Sequence, residues 1–370
     1  MMTLTVPCLF GLESLVADEM KRLDLREVHA ENGRVHCQGD LADIARLNIN
    51  LRCGARVLME LGSFPAPDFE ALFQGVHALP WEEYIPLDGE FPVKGYTINS
   101  QLHSVPACQA IVKKSSAKRL GEHYGLETLP ETGSRYQIQF SIVKDLATLY
   151  LDTSGEGLYK RGYRAQGVAA PLRETLAAAL VTLSRFRGKD PFCDPFCGSG
   201  TIPIEAALIA KNRAPGLDRS FAAQKWKTMD PKLWLEAGDE AMDKEFHGTY
   251  DIWGGDIDPA AVELSRHNAA LAGVEDFVRF EVADAGKFHR DSEYGQVVTN
   301  PPYGERLMEK AEAEALYRVF GAACRTLPPK WRVLVLSSHT EFERSFGAQA
   351  DKKRKLYNGM IKCDLFMYGK

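Results

Sequence analysis

A glycine-rich loop at Asp194-Pro195-Phe196-Cys197-Gly198-Ser199-Gly200-Thr201 constrains this chain more than any other feature. Pro191 to Asp194 reads as a short strand and Ile202 to Lys211 as a helix, so the loop turns a strand into a helix. Glycines there let the backbone pass close to a ligand, and in such sheets ligands lie at the carboxyl ends of strands. No Lys follows the second glycine, which excludes a Walker loop. The pattern repeats downstream. Strand Tyr250 to Ile257 precedes helix Ala260 to Ala272, and strands Val278 to Val282 and Gln296 to Thr299 precede helix Ala311 to Leu327. Strand Arg332 to Leu336 follows, and Asn358-Gly359 between two apolar runs signals a terminal hairpin. The alternation predicts an α/β, Rossmann-like domain with a mostly parallel sheet covered on both faces, plus an antiparallel hairpin.

The preceding half is patterned differently. Over residues 1–55, strand Leu4 to Val6, helix Leu12 to Leu23, strand Arg34 to Cys37 and helix Leu41 to Arg52 form a small α+β unit. Residues 56–155 form a second unit: strand Arg56 to Leu61, helix Phe69 to Val76, strand Phe91 to Thr97, long helix Pro106 to Tyr124, and paired strands Tyr136 to Ile142 and Leu146 to Asp152. A linker at 156–170 leads to the α/β domain at 171–370, which opens with helix Leu172 to Arg185.

Charge is unevenly spread. The 370-residue chain has a net charge of −5, yet Lys94 to Arg164 carries ten basic and six acidic residues, net +4. A basic segment within an acidic chain marks a polyanion-facing surface or solvated helix faces. There is no apolar stretch long enough for a membrane span and no signal-peptide pattern, so a cytoplasmic protein is expected. The eight cysteines include no CxxC pair, which fits structural thiols and no metal.

Three further motifs stand at strand ends. In Gly254-Gly255-Asp256-Ile257-Asp258, Asp256 suits the hydroxyls of a ribose, while Asp258 before Pro259 suits a helix N-cap. Asp284, followed by Ala285, can accept from an adenine amino group. Asn300-Pro301-Pro302-Tyr303 then ends the fourth strand. An exocyclic amine conjugated to a ring is a poor nucleophile and needs acceptors for its hydrogens. The Asn300 side-chain oxygen and the Pro301 carbonyl can supply them, Pro302 stiffens the turn, and Tyr303 can stack on a base. Together, Asp194 to Thr201 and Asn300 to Tyr303 resemble the class I amino-methyltransferases, which implies transfer of a methyl group from S-adenosylmethionine to a planar amine. The same chemistry serves guanine N2, adenine N6 or a glutamine amide.

The chain resembles a narrower family through Pro7 to Glu13, Lys160 to Arg164, Pro171 to Ala177, Arg213 to Gly216 and Asn300 to Arg306. These segments are similar to the THUMP-domain methyltransferases, the bacterial 23S rRNA guanine-N2 enzymes often called N6-adenine-specific DNA methylases. The resemblance implies a ferredoxin-like unit, a THUMP RNA-binding domain and a Rossmann-like catalytic domain. It implies that the segment around Thr175 lies beside the methionine part of the cofactor. It also implies ribosomal RNA as partner, with Lys113, Lys114, Lys118, Arg119, Arg161 and Arg164 as phosphate contacts.

Overall fold

The computed structural model describes residues 1–164, 172–303 and 307–369. Residues 165–170 of the expected linker, Pro171, and Gly304-Glu305-Arg306 lie outside the described residues. Two seven-stranded sheets organise the chain.

The first sheet is built from β1 (Met2–Pro7), β2 (Arg26–Glu31), β3 (Arg34–Gly39), β4 (Leu58–Pro65), β5 (Val93–Ile98), β6 (Ile138–Val143) and β7 (Leu146–Asp152). Its order is β2-β3-β1-β4-β7-β6-β5. Strand β1 pairs with β4 through Leu4↔Met59 and Thr5↔Leu58, so residues 1–55 and 56–155 share one continuous sheet. Helices α1 (Glu13–Arg22), α2 (Leu41–Asn50), α3 (Phe69–His77) and α4 (Val105–Tyr124) accompany it. Helix α2 starts at a capping box between Asp40 and Asp43, and α4 ends at left-handed Gly125, so local chemistry fixes both boundaries.

The second sheet contains β8 (Phe192–Asp194), β9 (Ile252–Asp256), β10 (Val278–Val282), β11 (Tyr294–Thr299), β12 (Lys330–Ser337), β13 (Lys352–Asn358) and β14 (Ile361–Tyr368). The order is β10-β9-β8-β11-β12-β14-β13. The first five strands are parallel, and the β13–β14 hairpin attaches antiparallel to β12. Helices α5 (Glu174–Ser184), α6 (Thr201–Ala210), α7 (Pro231–Asp243), α8 (Pro259–Leu271), α9 (Leu307–Cys324) and α10 (Phe342–Phe346) complete the domain. Alternate strand residues enter opposite cores: Phe192, Ile252, Val298 and Leu334 one, Cys193, Trp253, Val297 and Val333 the other. A strand buried on both faces reads as continuous apolarity, which is how these strands read in the sequence. Helix α6 is buried almost all round, as an apolar helix with no polar face must be.

Sequence patterning missed β2 and α7. Strand β2 is an exposed edge with a register shift between Arg26 and His29 and carries no apolar alternation. Helix α7 buries Trp234, Ala237 and Ala241, and it packs on α2 of the other half. It belongs to an insertion between α6 and β9 that ties the halves together. Arg46 on α2 pairs with Glu240 at 3.0 Å, Trp226 stacks on Tyr136 at 5.0 Å, and the Gly216 amide donates to the Ile49 carbonyl at 2.9 Å. A Cβ on Gly216 would sit 2.6 Å from Ile49 Cα, so only glycine allows this approach.

The deepest tie is ionic. Arg161 is 4% exposed and faces Glu205, at 0% exposed, from 3.3 Å. Arg161 also donates to the Leu158 and Arg52 carbonyls at 2.7 and 2.6 Å, and the Tyr163 hydroxyl donates to Glu205 at 3.0 Å. Removing one partner of a buried pair strands the other charge, at a cost of about 3–5 kcal/mol, whereas removing both does not. Arg161→Ala is therefore expected to lower unfolding free energy by about that amount in urea titration, and Arg161→Met with Glu205→Leu to recover much of it. Equal losses in the single and double variants would refute the pairing.

Candidate active site

The parallel strands present their carboxyl ends to one edge of the sheet, and chain order reverses between β8 and β11. That switch point is where a crevice must open. The glycine loop leaves β8 there, and the Asn300 turn leaves β11 beside it. The Thr299 hydroxyl donates to Asp194 Oδ1 at 2.5 Å, joining the bases of the two loops. A cavity of about 710 Å³ lies above, lined from the expected set by Pro195, Phe196, Gly198, Asp256, Ile257, Asp284, Ala285, Asn300, Pro301, Pro302 and Tyr303. Residues expected only from their spacing along the chain thus meet in one volume.

Each wall has a physical cause. Gly198 has φ +51 with nothing within 4 Å of where a Cβ would stand, leaving an open cradle over its backbone. Its amide donates to Asp256 Oδ2 at 3.0 Å, while Asp256 Oδ1 takes the Asp258 amide. Asp258 caps α8 through the Ala260 amide at 2.9 Å, so the two acids divide their tasks. Gly200, at φ +83, could not carry a Cβ, which would stand 2.8 Å from Ser265 Cβ. Ile257 is 72% exposed and offers an apolar face beside Asp256. Phe196 is braced edge-on by Phe320 at 5.0 Å. Asp284 accepts the Gly286 amide at 2.8 Å and remains exposed.

Four expected cofactor residues lie behind the wall. Asp194 is 1% exposed, Thr175 5%, Cys197 6%, and Gly200 is buried. Asp194 serves as a buried tie, accepting from Thr299 and from the Phe196 amide. From the segment around Thr175 the cavity receives Arg173 instead, its guanidinium 4.9 Å from the Tyr159 ring centroid. Sequence reading also missed Ala283, Leu316, Asn358, Gly359 and Ile361. The last three come from the hairpin, whose sequence signal said only that the chain turns.

The turn itself departs from expectation. Tyr303, expected to stack on a base, donates its hydroxyl to Asn300 Oδ1 and receives a hydrogen bond from Asn358 Nδ2 at 3.4 Å. The Pro302 carbonyl accepts from the Tyr317 hydroxyl at 2.5 Å. Burial holds the Tyr303 hydroxyl well above the ordinary phenol range, so it stays a donor.

The expected phosphate contacts divide sharply. Arg161 is buried in its ion pair and cannot meet RNA in this conformation. Arg164 is turned inward to Glu174, the Leu172 carbonyl and Thr201. Lys113 is paired with Glu131 at 2.7 Å, and Arg119 is paired with Glu82. Lys114 and Lys118 on α4 stay exposed, Lys118 in a loose 3.9 Å contact with Glu122 and 5.8 Å from the Phe73 ring centroid.

The fold and the crevice define a class I methyltransferase domain preceded by a second, α+β half. Residues 161–366 match the RMKL-like methyltransferase domain, 3–58 the RlmL ferredoxin-like domain and 66–152 the THUMP domain. The chain belongs to the RMKL-like methyltransferase family. It is 42% identical over 369 residues to a Bacillus subtilis protein named "Putative RNA methyltransferase YpsC", covering 99% of this chain and 95% of that one. It is 35% identical to the ribosomal RNA large subunit methyltransferase K/L of Syntrophotalea carbinolica, covering 97% of this chain but 52% of that protein. The chain thus spans about half the length of its K/L relatives. A crystal structure of SMU.472, "a putative methyltransferase complexed with SAH", superposes with TM-score 0.93 at 40% identity, over 100% of this chain and 98% of that one. One from Listeria monocytogenes, named a "predicted N6-adenine-specific DNA methylase", gives 0.94 at 45%, over 100% and 96%.

Burial raises the Asp194 carboxyl from 3.8 to about 7, with the nearby Asp256 charge adding to it. A raised carboxyl gives stability that is full below the unfolded value and is lost as pH rises through the folded one. Between about pH 4 and 7, Asp194 therefore makes the protein progressively less stable. Asp194→Asn keeps an acceptor for Thr299 and cannot ionise. Its unfolding free energy relative to wild type is expected to rise between pH 5 and pH 7.5, by on the order of 1 kcal/mol or more. A difference independent of pH in denaturant titrations would contradict this.

Proposed function

We propose that this chain methylates the exocyclic N2 amine of a guanine in 23S ribosomal RNA, mature or in a precursor particle, using S-adenosylmethionine. The observation that carries the reading is one cavity shared by the Asn300-Pro301-Pro302 turn, Gly198 and Asp256. When bound, S-adenosylmethionine supplies a methyl group activated by its sulfonium. The open cradle at Gly198 and the acceptor Asp256 fit such a cofactor, and Ile257 and Asp284 would hold its adenine. Arg173 is the cationic lining residue available to a carboxylate.

The chain's own groups then prepare the amine. Asn300 Oδ1 and the Pro301 carbonyl accept its two hydrogens, which draws the nitrogen lone pair out of conjugation. The Pro302 carbonyl, held by Tyr317, stiffens the turn instead. The Tyr303 hydroxyl holds one of the two acceptor positions on Asn300 Oδ1, and an amine that takes that position displaces it, which frees the Tyr303 ring to meet the base. Proximity and aim provide the acceleration, with no covalent enzyme intermediate. The target must be unpaired or flipped from its stack. Lys114 and Lys118 supply phosphate contacts that fix register and not base identity.

The same turn suits adenine N6 in DNA or a glutamine amide, and the THUMP match favours RNA. The test is labelled methyl transfer into ribosomal RNA from cells lacking the protein, with DNA in parallel, followed by mapping of the modified nucleotide. Incorporation into N2 of a guanine of the large-subunit RNA supports the reading, whereas incorporation only into DNA overturns it. Asn300→Ala is expected to lower kcat about 100-fold or more while S-adenosylmethionine affinity by calorimetry stays within about threefold. Lys114→Glu with Lys118→Glu should weaken RNA binding uniformly across sequences and reduce the salt slope of binding by about 2.

A further inference from the structure

Met360 is the most exposed large apolar residue among those described, at 97%. The register Asn358↔Ile361 makes Gly359-Met360 a two-residue turn, with Gly359 at φ +62 in the first position. A turn that tight fixes the direction in which its second residue projects. Gly359, Asn358 and Ile361 line the cavity, so Met360 stands at its mouth. The hairpin is braced from both sides. Asn358 bonds Tyr303 of the catalytic turn at 3.4 Å. Arg354 donates to the Gly11 carbonyl and to Ser14 Oγ, and Phe10 meets Tyr357 edge-on at 6.4 Å. The Gly11 approach to Lys355 leaves no room for a Cβ, which would stand 2.9 Å from the Lys355 carbonyl.

A single exposed apolar side chain is ordinary in itself; what sets Met360 apart is the braced hairpin that holds it next to residues lining the cavity. Lys355 and Lys362 are exposed on the same hairpin, which suits a polyanion lying along it. Apolar wedges inserted between bases stabilise an unstacked step at the point where a nucleotide is extruded. We propose that Met360 is the wedge that enters the RNA stack in place of the target base while that base occupies the cavity, the hairpin positioning RNA and the Asn300 turn performing the chemistry. This rests on the proposed RNA methylation.

The test uses ribosomal RNA from cells lacking the protein, in its folded form, and a short unstructured RNA fragment spanning the mapped site. Met360→Ser should lower kcat/KM on folded RNA by about tenfold or more, equivalent to about 1.4 kcal/mol of transition-state stabilisation. Met360→Leu should restore most of it, and the deficit of Met360→Ser should shrink severalfold on the unstructured fragment. S-adenosylmethionine affinity should not change. Equal losses on both RNAs, failure of leucine to rescue, or no loss on folded RNA would each overturn the wedge. If the wild-type protein methylates no ribosomal RNA, the proposed substrate falls first and the wedge with it.

Discussion

The hydrogen bond from Thr299 to Asp194 is the constraint on which the site depends. It lies where chain order reverses among the parallel strands of the second sheet, and it joins the strand end that launches the glycine loop to the strand end that launches the Asn300 turn. Both residues are essentially inaccessible to water, so the bond forms in a medium where a misplaced polar group is costly. The carboxyl's raised protonation range has the same origin. Once the strand ends are held together, the two loops have nowhere to go except over a common crevice. Backbone freedom at Gly198 and backbone rigidity at Pro301-Pro302 then act on opposite walls of one cavity.

A second constraint joins that crevice to the rest of the molecule. The insertion carrying Gly216, Trp226 and α7 packs on the first sheet and its helices, and Arg161, paired with Glu205 on α6, donates to the Arg52 carbonyl of the first half. The hairpin adds a third link through Arg354 and Gly11. Three separate contacts of different chemistry resist relative rotation of the halves better than one larger patch. Under the proposed RNA methylation, a substrate held on the first half would meet the crevice at a fixed offset, which a site with an ångström-scale requirement for alignment needs.

How much of this the sequence disclosed depended on whether the deciding interaction was local. The strand-end motifs were readable because each is contiguous and because an alternating pattern already places strand ends on one edge. Asp258 was assigned to a helix cap from its neighbour Pro259, and its bond to Ala260 is that cap. The charges behaved differently. Arg161 and Arg164 look like Lys114 in a sequence, yet Arg161 finds Glu205 forty-four positions away and disappears into the core. Nothing in spacing reveals such a partner. Thr175 and Cys197 stood within the right segments, but which side of a segment faces the cavity is a matter of packing. Strand β2 was invisible because a sheet edge needs no apolar face, and α7 because its buried side faces a helix from a distant segment.

The Tyr303–Asn300 contact shows what the resting site costs and why the cost is small. An exposed acceptor aimed at an absent amine would either take water or remain unsatisfied, and each must be undone before reaction. Here the chain satisfies Asn300 with its own phenol, and Asn358 satisfies the phenol in turn. Exchange of one hydrogen-bond donor for another leaves the count of bonds nearly unchanged, so an incoming amine competes on even terms. An apolar or wrongly shaped group brings no donor, leaves Asn300 stripped, and is disfavoured. Under the proposed methylation, discrimination for an amine arises before any chemistry, because a group that displaces Tyr303 has to replace the bond it breaks.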